Sequence, residues 1–239
     1  MMKLTKIAAI VALASAGFTS TQAMAVEGLS ANAAVTTNYL WRGQTQSDDG
    51  FAIQGGLDYA HKSGGYAGVW MSTVDYGDKF DYEFDWYVGY AGETAALTYD
   101  VGYIEYVYLE GFSNEDGLDF SELYGSVSFK ELEALTVGLA IGVDSEGGAG
   151  FADDYYLSAD YSFSIPASGF FKDVEYAAHV GTYQKDAGGS WSNIGVSASK
   201  QNFTLGLSKA TKNSGDDGFL VYLSYGMDFD LSGLAKKFK

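Results

Sequence analysis

From Phe80 to Gly92 the chain alternates with a period of two. Phe80, Tyr82, Phe84, Trp86, Val88 and Tyr90 fall on one side of an extended strand, and Asp81, Glu83, Asp85, Tyr87, Gly89 and Ala91 on the other. Three carboxylates on one face are expected to see water, because burying unpaired charge is too costly. The aromatic face needs an apolar neighbour. That neighbour is either a protein core or a lipid bilayer.

Similar alternation recurs along the chain and predicts twelve strands, at about 29–42, 51–62, 65–76, 80–91, 94–108, 118–130, 134–144, 153–165, 173–185, 190–200, 202–211 and 218–230. The fifth is irregular: Glu105 follows Tyr103 in the apolar phase, which predicts a bulge or a strand end beyond the bilayer. Connections alternate in size. Ser63-Gly64, Gly92-Glu93, 130–133 and 200–202 are short; 43–50, 109–117, 145–152 and 211–218 are longer and acidic. Tyr39, Trp41, Phe51, Tyr76, Phe80 and Tyr155 gather near the long-loop ends, where aromatic rings suit a lipid headgroup boundary. The pattern predicts an all-β fold: an up-and-down antiparallel transmembrane β-barrel of about 12 strands. Closure removes the unpaired edge that hydrocarbon would not tolerate. A soluble β-sandwich also alternates, and is the competing reading.

The N-terminus favours the membrane. Lys3 and Lys6 precede an apolar run from Ile7 to about Phe18, and Ala23-Met24-Ala25 is a small-residue cleavage site. These are the parts of a signal peptide over residues 1–25, leaving 26–239 as a single barrel domain. The chain has no cysteine, one proline (Pro166), 31 glycines, 19 tyrosines and 15 phenylalanines. Disulfides are therefore excluded, and the composition is that of strands. A formal net charge of −17 argues against nucleic acid as a partner. It suits a water-filled interior that attracts cations.

The segment Asn38-Tyr39-Leu40-Trp41-Arg42-Gly43-Gln44-Thr45-Gln46-Ser47-Asp48, followed by Ala52–Tyr59 and Gly65–Trp70, is distinctive. Over residues 35–90 the chain resembles a proteobacterial family of conserved hypothetical outer-membrane proteins (Gcw_chp). The resemblance implies an outer-membrane barrel and brings no catalytic residues with it. Physically, Trp41 is expected at the headgroups, Gly43 in a loop turn, and Arg42 in the lumen, paired with an acid such as Asp58 or Asp75.

Chemistry beyond a channel finds little footing. His61 sits at a short turn. His179 faces the interior without a serine and acid placed around it by the sequence. Two histidines and no cysteine do not make a zinc site. Asn114-Glu115-Asp116-Gly117 is too short for a spaced calcium loop. No phosphate or dinucleotide motif is present, so no cofactor is expected. The partners expected are outer-membrane lipid and small polar or cationic solutes; oligomeric state stays open.

The residues expected to line the pore are Arg42, Asp58, Asp81, Glu83, Asp85, Asp100, Glu122, Asp160 and Asp228. The leading reading is a narrow porin-like channel. The alternative is a plugged structural or surface-binding barrel that works through its acidic loops. An outer-membrane hydrolase ranks third. The tail after the last strand ends on Phe238-Lys239 rather than on the terminal aromatic that barrel assembly favours.

Overall fold

The computed structural model describes residues 8–9, 22–23, 28–76, 80–110, 113–114, 118–132 and 134–232. The expected signal peptide falls outside these residues, apart from a two-residue ladder between Ala8–Ala9 and Gln22–Ala23. The C-terminal tail from 233 onward also lies outside them.

Twelve strands make the wall. They are β1 (Gly28–Thr36), β2 (Ala52–Ala60), β3 (Gly65–Asp75), β4 (Phe80–Glu93), β5 (Leu97–Glu110), β6 (Phe120–Phe129), β7 (Leu135–Ser145), β8 (Tyr155–Ser164), β9 (Glu175–Gln184), β10 (Trp191–Lys200), β11 (Phe203–Ala210) and β12 (Phe219–Asp230). Each pairs antiparallel with the next, and β12 pairs with β1 from Ser224↔Thr36 to Asp230↔Ser30. The sheet is a closed up-and-down barrel. Strands of ten residues or so, at ~3.4 Å per residue and tilted by ~45°, cover the ~25 Å of a bilayer's apolar band. Among the described residues the helical elements are three 3₁₀ turns, and no helix is long and apolar enough to cross a membrane. Crossing falls to the strands.

The side chains divide as the alternation requires. In β11, Phe203, Leu205 and Leu207 face outward and Thr204, Gly206 and Ser208 are covered. Ile53 is 69% exposed and Val221 58%, and Val88, Val101, Leu139, Leu157, Val180, Ile194 and Leu223 are exposed with them. Together with those of β11 these residues come from nine different strands and form an apolar belt around the barrel. Water would not tolerate a belt of that extent; hydrocarbon does.

The interior is polar, aromatic and closely fitted. Tyrosines of the inner face lie flat on glycines of the adjacent strand. A Cβ at Gly68 would sit 2.5 Å from the Tyr87 ring, and Gly181 and Gly206 stand in the same relation to Tyr156 and Tyr222. Glycine is needed there for close approach of the ring.

Two expectations are corrected. The first strand ends at Thr36, not near residue 42, because the chain turns into the barrel after it. Glu105 needs no bulge. β5 runs unbroken to Glu110, and the register shift lies between Ser121 and Glu122, where β6 meets β7.

Candidate functional site

The segment 37–50 is folded inward. Three large apolar residues in succession, Tyr39-Leu40-Trp41, cannot continue a strand that has lipid on one side and water on the other. Thr36 Oγ1 donates to the Asn38 carbonyl (2.8 Å) as the chain leaves the wall. Leu40–Trp41 then pairs with Gln44–Thr45 around Arg42-Gly43. Both turn residues have positive φ, 49° and 84°, as a two-residue type I′ hairpin demands. Gly43 is also pressed to the wall: a Cβ there would lie 2.7 Å from Asn193 Cβ.

The hairpin is fastened to several strands. Tyr39 OH donates to Glu83 on β4 (3.1 Å), and Asp75 N–H on β3 donates to the Gln46 carbonyl (2.9 Å). Trp191 Nε1 on β10 donates to the Arg42 carbonyl (2.9 Å), and Thr45 N–H donates to Asp216 (2.9 Å). Asn38 Nδ2 donates to Asp49 (2.6 Å), closing the base.

Arg42 stands at the tip and is the chain's one arginine. Its guanidinium donates twice to Glu122 on β6, at 2.8 and 2.7 Å. Its Cζ lies 4.2 Å from the Trp41 ring, 4.4 Å from Tyr156 and 4.8 Å from Tyr183. A planar, weakly hydrated cation suits this cage as lysine would not. The expected partners Asp58 and Asp75 are replaced by Glu122, because the hairpin carries Arg42 across the lumen, away from β2 and β3. Trp41 likewise is not at the headgroups. It packs inside against Tyr106, Phe120, Tyr183 and Trp191.

The other expected lining residues are spread along the wall. Glu83, Asp85, Asp100 and Glu122 are buried on the inner face near the hairpin. Asp58 lies further toward the short turns, where it accepts from the Tyr87 hydroxyl and from Asn32 (3.3 Å). Asp100 accepts from Tyr66 (2.5 Å), whose hydroxyl meets that of Tyr124 (2.6 Å). Asp228 is exposed near the end of β12, opposite Asn32. The backbone of Asp81 pairs with Val74 and Glu110; its side chain lies outside the described residues. Asp160 is bonded to His179 Nδ1 (2.7 Å). Nε2 of that ring meets Tyr156 OH (2.8 Å), which donates to Asn193 (2.9 Å). His179 is thus held at both nitrogens rather than freely solvated, and the hydroxyl it meets is a tyrosine's.

Sequence reasoning missed the aromatic half of the site: Tyr39, Tyr106, Tyr156, Tyr183 and Trp191. Its signal was present, since Tyr156 and Tyr183 fall in the polar phase of their strands, where lipid contact is ruled out. Between the hairpin tip and the wall remains a cavity of about 40 Å³, lined by Arg42, Asp100, Tyr106, Glu122, Tyr124 and Tyr156 among others. It has room for about three waters.

A closed antiparallel wall, apolar outside, polar inside and narrowed by an inward segment, defines a porin-like outer-membrane β-barrel. Solved structures share the fold. The KdgM porin aligns with a TM-score of 0.52 at 10% identity, over 84% of this chain and 99% of its own. KdgM in complex with disordered oligogalacturonate aligns at 0.51 and 8%, over 85% and 98%. The chain belongs to the Gcw_chp family, described as a bacterial protein of unknown function, whose model matches residues 20–229. No curated protein matches the chain in sequence.

Proposed function

We infer that this protein is a narrow outer-membrane channel for small cations and small polar solutes, exported by a signal peptide cleaved after Ala25. One observation carries the reading. At the level of the hairpin, Glu83, Asp85, Asp100 and Glu122 face the interior against a single base, Arg42, which Glu122 already engages. Carboxylates around a constriction attract cations and repel anions. Asp58, Asp160 and Asp228 extend the same sign toward the short-turn end. The solute of the KdgM complex, oligogalacturonate, is a polyanion; an acidic wall disfavours that class here. The small gap beside Arg42 favours solutes of a few heavy atoms. A formal net charge of −17 disfavours nucleic acid as a partner.

Swelling of proteoliposomes in graded solutes tests this. Methylammonium and glycine are expected to enter, glutamate to enter far more slowly, and a trisaccharide to be excluded. Entry of glutamate as fast as methylammonium would contradict the reading.

The fastening of the hairpin at several points favours a second reading, a sealed barrel whose acidic loops are the working surface. It predicts liposomes impermeable to all four solutes.

A further inference from the structure

Most acids of the inner wall have their charge answered. Glu122 has Arg42, Asp58 has Tyr87 and Asn32, and Asp100 has Tyr66; Asp160 has His179 at Oδ1, while its Oδ2, on a different part of the wall, is a further buried oxygen without a hydrogen-bond partner. Glu83 and Asp85 are different. Glu83 is 0% exposed and Asp85 3%. Tyr39 serves Glu83 Oε1, but Glu83 Oε2 and Asp85 Oδ1 are buried without a hydrogen-bond partner.

A third such oxygen lies nearby and is not acidic. Gln54 on β2 is 3% exposed, and its Oε1 has no partner. Its Nε2 donates to Ser72 Oγ (3.3 Å), which orients the amide and leaves the carbonyl end over. Register puts these groups together. Gln54 is opposite Ser72 on β3, and Ser72 is opposite Glu83 on β4. Asp85 follows two residues along the same face, ~7 Å from Glu83 at Cα. Tyr39, on the hairpin, reaches this row through its hydroxyl.

Two buried carboxylates cost several kcal/mol each when unpaired. The buried base of this region, Arg42, is committed to Glu122. A shared proton would join two of the orphan oxygens and leave the amide carbonyl unserved. A cation serves all three. We propose that Glu83, Asp85 and Gln54, capped by the Tyr39 hydroxyl, bind one divalent cation of the oxygen-preferring class, with Ca²⁺ the best match. Two carboxylates balance its charge. All four donors are oxygens, and Ca²⁺ accepts irregular shells completed by water, whereas Mg²⁺ demands near-octahedral geometry. The site uses two acids and an amide; among the described residues no group of three His, Cys, Asp or Glu is placed to hold a metal. Through Glu83 the bound ion also braces the hairpin. The site does not depend on conduction; once occupied it neutralises Glu83 and Asp85, and the cation preference of a conducting barrel then rests on Asp58, Asp100, Asp160 and Asp228.

The test is made in detergent, without a membrane, so it is independent of permeation. The refolded barrel is stripped with EDTA and titrated with Ca²⁺ by calorimetry, and its melting temperature is followed with and without the ion. One Ca²⁺ per barrel and a raised melting temperature are expected. Glu83→Gln/Asp85→Asn should lower the affinity by about a hundredfold or more, since carboxylate count sets Ca²⁺ affinity. The double variant should also melt alike in EDTA and in Ca²⁺, and above the stripped wild type, having no buried charge to offset. Asp153→Asn/Asp217→Asn, in exposed loops, should bind as the wild type does. Undiminished binding by the Glu83/Asp85 variant, or no stoichiometric binding by the wild type, would overturn the proposal; the second outcome would leave protons as what neutralises the pair.

Discussion

Arg42→Met removes the charge at the hairpin tip while keeping an unbranched chain of similar length in the aromatic cage. Glu122, 2% exposed, is then left without its partner. Breaking a buried ion pair from one side costs ~3–5 kcal/mol, and loss of three cation–π faces adds ~1–2 kcal/mol. The cost falls on the hairpin, not on the wall, because the strand ladders do not use Arg42. Taking the ion pair alone, at ~1.4 kcal/mol per tenfold, the opened hairpin gains between about 10²-fold and several thousandfold in population. The chain has no cysteine, so Leu40→Cys provides a clean reporter on a residue 1% exposed. Its labelling by a charged maleimide should accelerate by that factor when Arg42→Met is added. Glu122→Gln in the same background should recover most of the protection, because the stranded charge is gone. Labelling that rises less than ~10-fold, with no recovery by Glu122→Gln, would refute the idea that this ion pair holds the hairpin closed.

Other expectations follow from particular contacts. Gly43→Ala combines positive φ with a clash at Asn193, so it should open the hairpin as Arg42→Met does while leaving the charge intact, read by the same labelling assay. Leu205→Arg, on the outward face of β11, should cost ~2–4 kcal/mol of folding stability in lipid vesicles if that face meets hydrocarbon; a neutral result would place water there. Gly181→Ala should push Tyr156 off the wall, break its bonds to His179 and Asn193, and reduce permeation. N-terminal sequencing of the exported protein should begin at Val26; retention of Met1 would end the signal-peptide reading.

The wall was legible because a strand with lipid on one side and polar lumen on the other must alternate at every step. Phe80–Gly92 and Phe219–Asp230 therefore declare themselves residue by residue, and their boundaries fall close to those expected. The hairpin was not legible. Asn38–Arg42 carries the phase of β1 for a few residues, and nothing local says that the chain leaves the sheet at Thr36. What fixes its course is long-range: Glu122, Trp191 and Asp216 lie far along the sequence, and their convergence depends on closure of the barrel. For the same reason Arg42 was correctly expected to meet an acid, but the acid was not foreseeable from spacing. The glycines of the inner face were visible as small residues in the polar phase. Their role as beds for Tyr87, Tyr156 and Tyr222 needed the register between strands.

The account turns on the sign of the charge at a narrow constriction. The most direct measurement is the reversal potential of single channels in a planar bilayer under a tenfold KCl gradient. Small unit steps with a potential near the K⁺ equilibrium value are predicted, with larger steps in Arg42→Met. A potential near the Cl⁻ value, or a membrane silent for both proteins, would contradict it.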